Sequence, residues 1–240
     1  MRKNSGHGLW VMPCLPAGRG HGEKVVLVAL GLLLIATFVG CAKREIKNID
    51  SKGQSIICFG DSITFGYGAN PGEDYPTALT KFLSEPVINA GVDGDTTREA
   101  LKRIQADCLD KEPRLVIVEF CGNDFLKKVP FEETKKNLAE ITDRLQAGGA
   151  MVAIVDISSG MFLKQYRNAY KKIAREKGAI FIPSVLSKII TNPSMKSDFL
   201  HPNAKGYQLV AERIAYAIAP YLQKNAALRK FTVKSAEEGS

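Results

Sequence analysis

Short apolar runs alternate with longer amphipathic stretches between residues 55 and 222. The apolar runs are Ser55–Phe59, Pro86–Asn89, Leu115–Phe120, Met151–Ile157 and Ala179–Ile182. Their length and composition predict buried strands. The amphipathic stretches are Thr96–Cys108, Phe131–Gln146, Met161–Lys177 and Asn203–Leu222. Their spacing and end signals predict helices. This alternation predicts one α/β domain over 55–222, with three α/β/α layers around a central, mostly parallel five-stranded sheet.

A different pattern precedes the domain. Val25–Gly40 is an unbroken apolar run of 16 residues that follows Arg19 and Lys24. Its length is right for the core of a secretory signal and marginal for spanning a bilayer. We therefore predict a signal peptide or an uncleaved N-terminal membrane anchor over 1–40. In either case the domain is exported and its membrane contact is through the N-terminal segment.

The end of this run resembles the lipobox of bacterial lipoproteins. Phe38-Val39-Gly40 precedes Cys41, and the resemblance implies that Cys41 is lipidated, although the family prefers Leu where Phe38 stands. Residue 42 is Ala and not Asp, and its resemblance to the Gram-negative sorting signal implies the outer membrane. The expected location is the cell envelope, in the periplasm or at the outer membrane. The polar segment 41–54 is predicted to be a tether, and 223–240 a loose polar tail.

Charge and cysteine content exclude several classes of partner. The net charge is +8, and three of those charges lie in the first 40 residues, which leaves +5 for the remaining 200. This balance lacks a dense basic run, so we predict no nucleic-acid partner. The body has Cys58, Cys108 and Cys121 without a CxxC motif. Asp93 and Asp95 lie close together but lack a third ligand, so we predict no metal and no cofactor.

Residues with catalytic chemistry follow the predicted strands. Ligands of parallel α/β sheets bind at the carboxyl ends of strands, so functional motifs are expected just after each apolar run. The first strand is followed by Gly60-Asp61-Ser62, the second by Asn89-Ala90-Gly91, and the third by Gly122-Asn123-Asp124. Each motif alone is equally typical of a turn or a helix cap. Asp61 and Asp124 are interpreted as such structural residues.

The only histidine after residue 40 is His201, three residues after Asp198. An aspartate at this spacing can accept from one ring nitrogen and leave the other to act as a base. The sequence lacks the G-x-S-x-G elbow of ordinary α/β-hydrolases, the P-loop and the H-E-x-x-H motif. These absences argue against an ordinary α/β-hydrolase, a P-loop protein and a zincin.

Taken together and in this order, the four blocks resemble the SGNH hydrolases, also called the GDSL esterase/lipase family. The resemblance covers about residues 55–222 and implies a flavodoxin-like fold. It implies that Ser62 is the nucleophile, with His201 and Asp198 as catalytic partners, and that Ser62, Gly91 and Asn123 form the oxyanion hole. The family usually has Gly where Cys121 stands, which puts the substrate range in doubt more than the mechanism.

The resemblance implies a serine esterase for short- to medium-chain carboxylic esters. Aryl esters, thioesters and lysophospholipids are candidate substrates, because the texture around the blocks is similar to the arylesterase and thioesterase/lysophospholipase branch. The loop 157–163 is expected to line the acyl pocket. Two alternatives remain open: an O-deacetylase acting on polysaccharide or peptidoglycan, and a non-catalytic envelope lipoprotein that binds glycans or lipids.

Overall fold

Five parallel strands form the centre of the protein. The computed structural model describes residues 45–158 and 163–237. The strands are β1 (Ser55–Gly60), β2 (Val87–Gly91), β3 (Pro113–Glu119), β4 (Met151–Val155) and β5 (Ile180–Ile182). They are arranged in the order β2-β1-β3-β4-β5, and each neighbouring pair is parallel. The order reverses next to β1, which is the point where such sheets bind ligands.

Helices cover the sheet on both faces. They are α1 (Ser62–Phe65), α2 (Tyr75–Leu83), α3 (Thr97–Asp107), α4 (Gly122–Leu126), α5 (Phe131–Ala147), α6 (Lys164–Lys177) and α7 (Ala204–Glu237). Helix α2 packs against α7, whereas α5 packs between α3 and α6. Right-handed crossovers place these two groups on opposite faces. The predicted three-layer α/β/α fold is therefore confirmed.

The core lies on both faces of β1, β3 and β4. Residues 56–59 and 115–118 are fully buried apolar positions, which explains why these strands appear in the sequence as continuous apolar runs. Cys58, Cys108 and Cys121 are buried and unpaired. No helix in the part of the chain that the structure describes is both long and apolar enough to cross a membrane.

The segments that flank the predicted domain differ from expectation. Residues 45–54, which belong to the predicted tether, pack on the domain: Ile49 and Ser51 are buried, and Ser51 Oγ donates to the Gly149 carbonyl at 2.7 Å. The helix predicted to end at Leu222 continues to Glu237, through Pro220.

The reason is a contact between the two segments. The side-chain amide of Asn225 is fully buried and donates to the carbonyls of Ile49 at 2.9 Å and Ser51 at 3.1 Å. The predicted leader 1–40, Cys41 and residues 159–162 of the predicted pocket loop lie outside the described residues.

Candidate active site

Ser62 lies in the first turn of α1, directly after β1. Asp61 caps this helix, because its Oδ1 accepts a hydrogen bond from the Ile63 N–H at 3.1 Å. The close approach of the β1 end to Thr64 requires glycine at position 60, because a methyl group there would lie 2.0 Å from Thr64 Oγ1. The Ser62 N–H is among the first N–H groups of α1, which have no partner within the helix. The short helix therefore places both the hydroxyl and the backbone N–H of Ser62 at the sheet edge.

His201 meets Ser62 from the other end of the domain. Ser62 Oγ lies 3.0 Å from His201 Nε2, although the two residues are 139 positions apart in the chain. His201 Nδ1 lies 2.8 Å from Asp198 Oδ2. An ionised carboxylate only accepts, so it keeps a proton on Nδ1 and leaves the Nε2 lone pair facing the serine hydroxyl. This is the geometry of a Ser-His-Asp triad.

Asp198 is oriented by its own turn. Its Oδ1 accepts from the backbone N–H groups of Leu200 at 2.7 Å and His201 at 2.8 Å. Partial burial raises the pKa of Asp198, but the hydrogen bond from the His201 ring and those from the two N–H groups outweigh it, so the pKa lies below its usual value. Asp198 is therefore ionised at neutral pH, and its 43% exposed side chain keeps the charge in contact with water.

The imidazole is also supported from its face. The ring of Tyr67 packs on that of His201 with 4.5 Å between the centroids. Tyr207, buried in α7, donates its hydroxyl to the Tyr67 carbonyl at 2.7 Å. Helix α7 therefore positions Tyr67, whose ring in turn packs against His201.

A buried acidic pair lies beneath the serine turn. Glu119, the last residue of β3, accepts at Oε2 from Thr64 Oγ1 at 2.8 Å, and Thr64 Oγ1 is 2.9 Å from the Tyr75 hydroxyl. Burial raises the pKa of Glu119 and of Asp61, and the charge of Glu119 raises the pKa of Asp61 further. Glu119 is not among the predicted site residues, although an acid inside the apolar run Leu115–Phe120 is a visible signal.

Asn123 is the second residue of α4, next to Gly122. A methyl group at Gly122 would lie 3.5 Å from Asp61 Oδ2, which places this helix beside the residue that precedes Ser62. Cys121 has φ = 121°, a region that side chains other than glycine rarely adopt. The family glycine is thus replaced by a residue in a glycine-like conformation, and its thiol is buried.

The structure does not present the Gly91 N–H as predicted. Gly91 is the last residue of β2, and its N–H donates to Asn89 Oδ1 at 2.9 Å. Its lack of a side chain serves packing, since a methyl group there would lie 2.1 Å from the Phe65 nitrogen. Three residues later, Gly94 has φ = 79°, and Lys127 Nζ donates to its carbonyl at 2.7 Å. Among the described residues, none accepts from the Gly94 N–H.

Arg103 joins the two strand ends that carry Ser62 and Gly91. Its guanidinium donates to the carbonyl of Gly60 at 2.9 Å and to that of Ala90 at 2.8 Å. It also pairs with Asp95 at 2.6 Å. Asp95, considered above as a metal ligand, is therefore part of an ion pair. In residues 45–158 and 163–237, no group of three or more His, Cys, Asp or Glu side chains could hold a metal ion.

A second set of hydrogen bonds joins the start of α3, which follows β2, to the helix that carries Asn123. Asp124 is fully buried and accepts from Thr97 N at 3.0 Å, Thr97 Oγ1 at 2.6 Å and Thr134 Oγ1 at 3.0 Å. The structural interpretation of Asp124 agrees with these contacts. Together with Arg103, these contacts link the segments that follow β1, β2 and β3.

A parallel α/β sheet that carries a Ser-His-Asp arrangement at its carboxyl edge, without a G-x-S-x-G elbow, defines a serine hydrolase of a distinct class. The chain belongs to the GDSL-like lipase/acylhydrolase family, whose model matches residues 58–209. It is an ester hydrolase. The resemblance to the SGNH hydrolases is thus confirmed.

The chain is similar to proteins that are named as thioesterases, lysophospholipases and esterases. The chain is 28% identical over 174 residues to the thioesterase 1/protease 1/lysophospholipase L1 of Escherichia coli K12, covering 69% of this chain and 84% of the relative. It is 27% identical over 180 residues to an arylesterase of Vibrio mimicus, covering 70% and 90%. The solved structure of AlinE4, an SGNH-hydrolase family esterase, is similar at a TM-score of 0.56 with 32% identity, covering 72% and 98%.

Proposed function

We propose that the protein hydrolyses carboxylic esters through a covalent acyl-Ser62 intermediate. The single observation that carries this proposal is the 3.0 Å distance between Ser62 Oγ and His201 Nε2. The hydroxyl proton has an acceptor in place, and the acceptor is in turn oriented by Asp198. Such a pair activates an otherwise weak nucleophile.

In the first half of the reaction, the Ser62 proton passes to His201 Nε2 while Oγ forms a bond to the acyl carbon. The ester carbonyl oxygen becomes an oxyanion. The bond from carbon to the leaving oxygen then breaks, and His201 gives its proton to that oxygen, which releases the alcohol. Asp198 stabilises the imidazolium during this step.

In the second half, a water molecule loses a proton to His201 and its oxygen attacks the acyl carbon. The bond to Ser62 Oγ breaks, and the serine regains its proton from His201. The carboxylic acid is released, and the enzyme returns to its starting state. Proton transfer of this kind lowers a barrier most when the base already lies within hydrogen-bond distance of the proton.

Donors for the oxyanion come from the ends of three strands in this proposal. The Ser62 N–H and the Asn123 side-chain amide are two of them. The third is the Gly94 N–H rather than that of Gly91, because Asn89 already accepts from Gly91. The Arg103 contacts support this arrangement, since they hold the backbone on either side of the hole.

The proposed substrates are short- to medium-chain carboxylic esters, including aryl esters and thioesters. Lysophospholipids are a further candidate substrate, since they are esters that membranes supply. The names of the relatives support this range. We also propose that the chain is exported and held at the cell envelope by its N-terminal segment, with Cys41 as the lipidation site. The run Val25–Gly40 and the sequence before Cys41 support this location.

The test is labelling with a fluorophosphonate probe, together with hydrolysis of a p-nitrophenyl ester series. Wild type, Ser62→Ala and the exposed-serine control Ser194→Ala would be compared. We expect labelling and turnover to disappear only in Ser62→Ala, with a loss of at least about a thousandfold. Unchanged hydrolysis by Ser62→Ala would refute the proposal. An activity confined to acetyl esters would favour the O-deacetylase instead.

A further inference from the structure

Large apolar side chains are exposed mainly around the triad. Nine are exposed among the described residues, and seven of them lie within five residues of a proposed site residue in the chain. We call these seven the apolar collar: Phe65, Tyr67, Val92, Phe125, Leu126, Phe199 and Leu200. The other two, Phe82 and Tyr216, lie on α2 and α7.

The collar occupies one edge of the sheet. Phe65 belongs to the helix of Ser62, and Val92 follows β2, where its N–H donates to the Gly60 carbonyl at 3.1 Å. Leu126 ends the helix of Asn123. Phe199 lies in the turn between Asp198 and His201. Because carboxyl ends of parallel strands share one edge, the collar lies at the same edge as the nucleophile.

Lysines stand beside the most exposed parts of the collar. Lys127 and Lys128 follow Leu126 directly and are exposed. Lys196 Nζ lies 5.3 Å from the centre of the Phe199 ring. Aromatic and apolar side chains flanked by lysines are typical of surfaces that lie in the headgroup region of anionic membranes.

We propose that the apolar collar docks the catalytic opening onto an anionic lipid surface. A protein seated on the collar would close the opening to Ser62, whereas a fluid lipid layer covers the apolar side chains and supplies ester substrates through the same face. The lysines complement the negative headgroups. The inference rests on the proposed function, since it takes the collar to surround the working site.

The test measures which face of the domain contacts lipid. Membrane binding through the N-terminal segment alone would not distinguish the two faces and so cannot produce the expected result. The full chain contains one tryptophan, Trp10. In a Trp10→Phe, Ser62→Ala background, a single reporter is introduced as Phe199→Trp or, as the matched control, Tyr216→Trp. Both native side chains are 86% exposed, so the two reporters begin in the same solvent environment.

Vesicles of equimolar phosphatidylglycerol and phosphatidylcholine are then added. We expect the emission of the Phe199→Trp reporter to shift to shorter wavelength and to be quenched by brominated lipid, while the Tyr216→Trp reporter stays unchanged. Lys128→Gln should weaken the lipid titration of the first reporter by about fivefold, the effect of one lysine near an anionic surface. Equal behaviour of the two reporters, or no change in the first, would overturn the proposal.

Two further readouts complete the test. A shift of the Phe199→Trp reporter that depends on protein concentration without vesicles would show that a second copy of the chain covers the collar, and would also overturn the proposal. With Ser62 intact, Phe199→Ser should lower the ratio of turnover on a vesicle-embedded ester to turnover on a soluble ester, whereas Tyr216→Ser should not. The reporter arm needs no hydrolysis, so it stands or fails independently of the acyl-Ser62 mechanism.

Discussion

The two edges of the sheet bury polar groups of different kinds. The carboxyl edge, where β-strands lead into helices, contains all the buried acids of the described residues: Asp61, Asp74, Asp95, Glu119, Asp124 and Asp156. At the amino edge, the buried polar residues include Ser51, Gln146 and Asn225, and none of these carries a charge. They donate to backbone carbonyls, as Gln146 does to Lys177 at 2.9 Å.

The difference has an electrostatic origin. Helices in this fold begin at the carboxyl edge, and the positive ends of their dipoles and their free N–H groups stabilise acids there. Asp61 and Asp74 are direct examples, since both cap helices. The opposite edge receives helix ends with free carbonyls, which neutral donors satisfy at lower desolvation cost. The buried acids, which include those beside the catalytic serine, and the neutral donors that hold the terminal segments thus lie at opposite ends of the same strands.

Among variants that test the difference between the two edges, Asn123→Ala at the carboxyl edge is expected to have the largest effect on kcat. Loss of one oxyanion donor should lower kcat by about a hundredfold to a thousandfold, with little change in the midpoint of thermal unfolding. Asn70→Ala is the control, because Asn70 is exposed and its side chain contacts Glu73. Ester turnover and thermal unfolding would be measured for both. Near-normal turnover of Asn123→Ala would show that its amide does not face the oxyanion.

A smaller effect is expected from Arg103→Met. Without the guanidinium, the strand ends at Gly60 and Ala90 lose a shared tie, and a small displacement of the oxyanion donors should lower kcat by about tenfold to a hundredfold. Arg98→Met on the same helix is the matched control, since Arg98 pairs with Glu133 on the surface. If both variants had equal kcat values, the tie would not matter for catalysis.

The smallest effect on turnover is expected at the amino edge, from Asn225→Ala. This change leaves the buried carbonyls of Ile49 and Ser51 without their donor, so the free energy of unfolding should fall by about 1–3 kcal/mol. Lys224→Ala, which removes an exposed ion pair with Glu45, should cost at most about 1 kcal/mol. Denaturant unfolding and kcat would be measured together. A large loss of kcat in Asn225→Ala would break the separation of the two edges.

The sequence predicted the strands and the triad because their signals are local. A buried parallel strand is a continuous apolar run, and each catalytic block follows such a run or contains its own aspartate and histidine. The observed strands begin and end within two residues of the predicted runs. The fold brings the predicted Ser62, His201 and Asp198 into contact with one another.

What was not predicted depends on contacts between distant parts of the chain. Arg103 bonds carbonyls 13 and 43 residues away, and nothing in its own neighbourhood indicates which carbonyls they are. Asn225 bonds carbonyls 174 and 176 residues away, so a polar stretch that resembles a loose tail is helical and tied down. Gly91 and Gly94 lie in one loop, and only the hydrogen bond from Gly91 to Asn89 distinguishes their N–H groups.

The burial of Cys58, Cys108 and Cys121 has a consequence for the export that we propose. Burial raises the pKa of the Cys108 thiol to about 12, and it also raises the pKa values of Cys58 and Cys121. Thiolates are the species that attack disulfides, so the folded domain offers almost none to an oxidising compartment. An odd set of thiols can therefore persist there without cross-linking one molecule to another, and oxidative damage would report unfolding of the domain rather than a property of its native state.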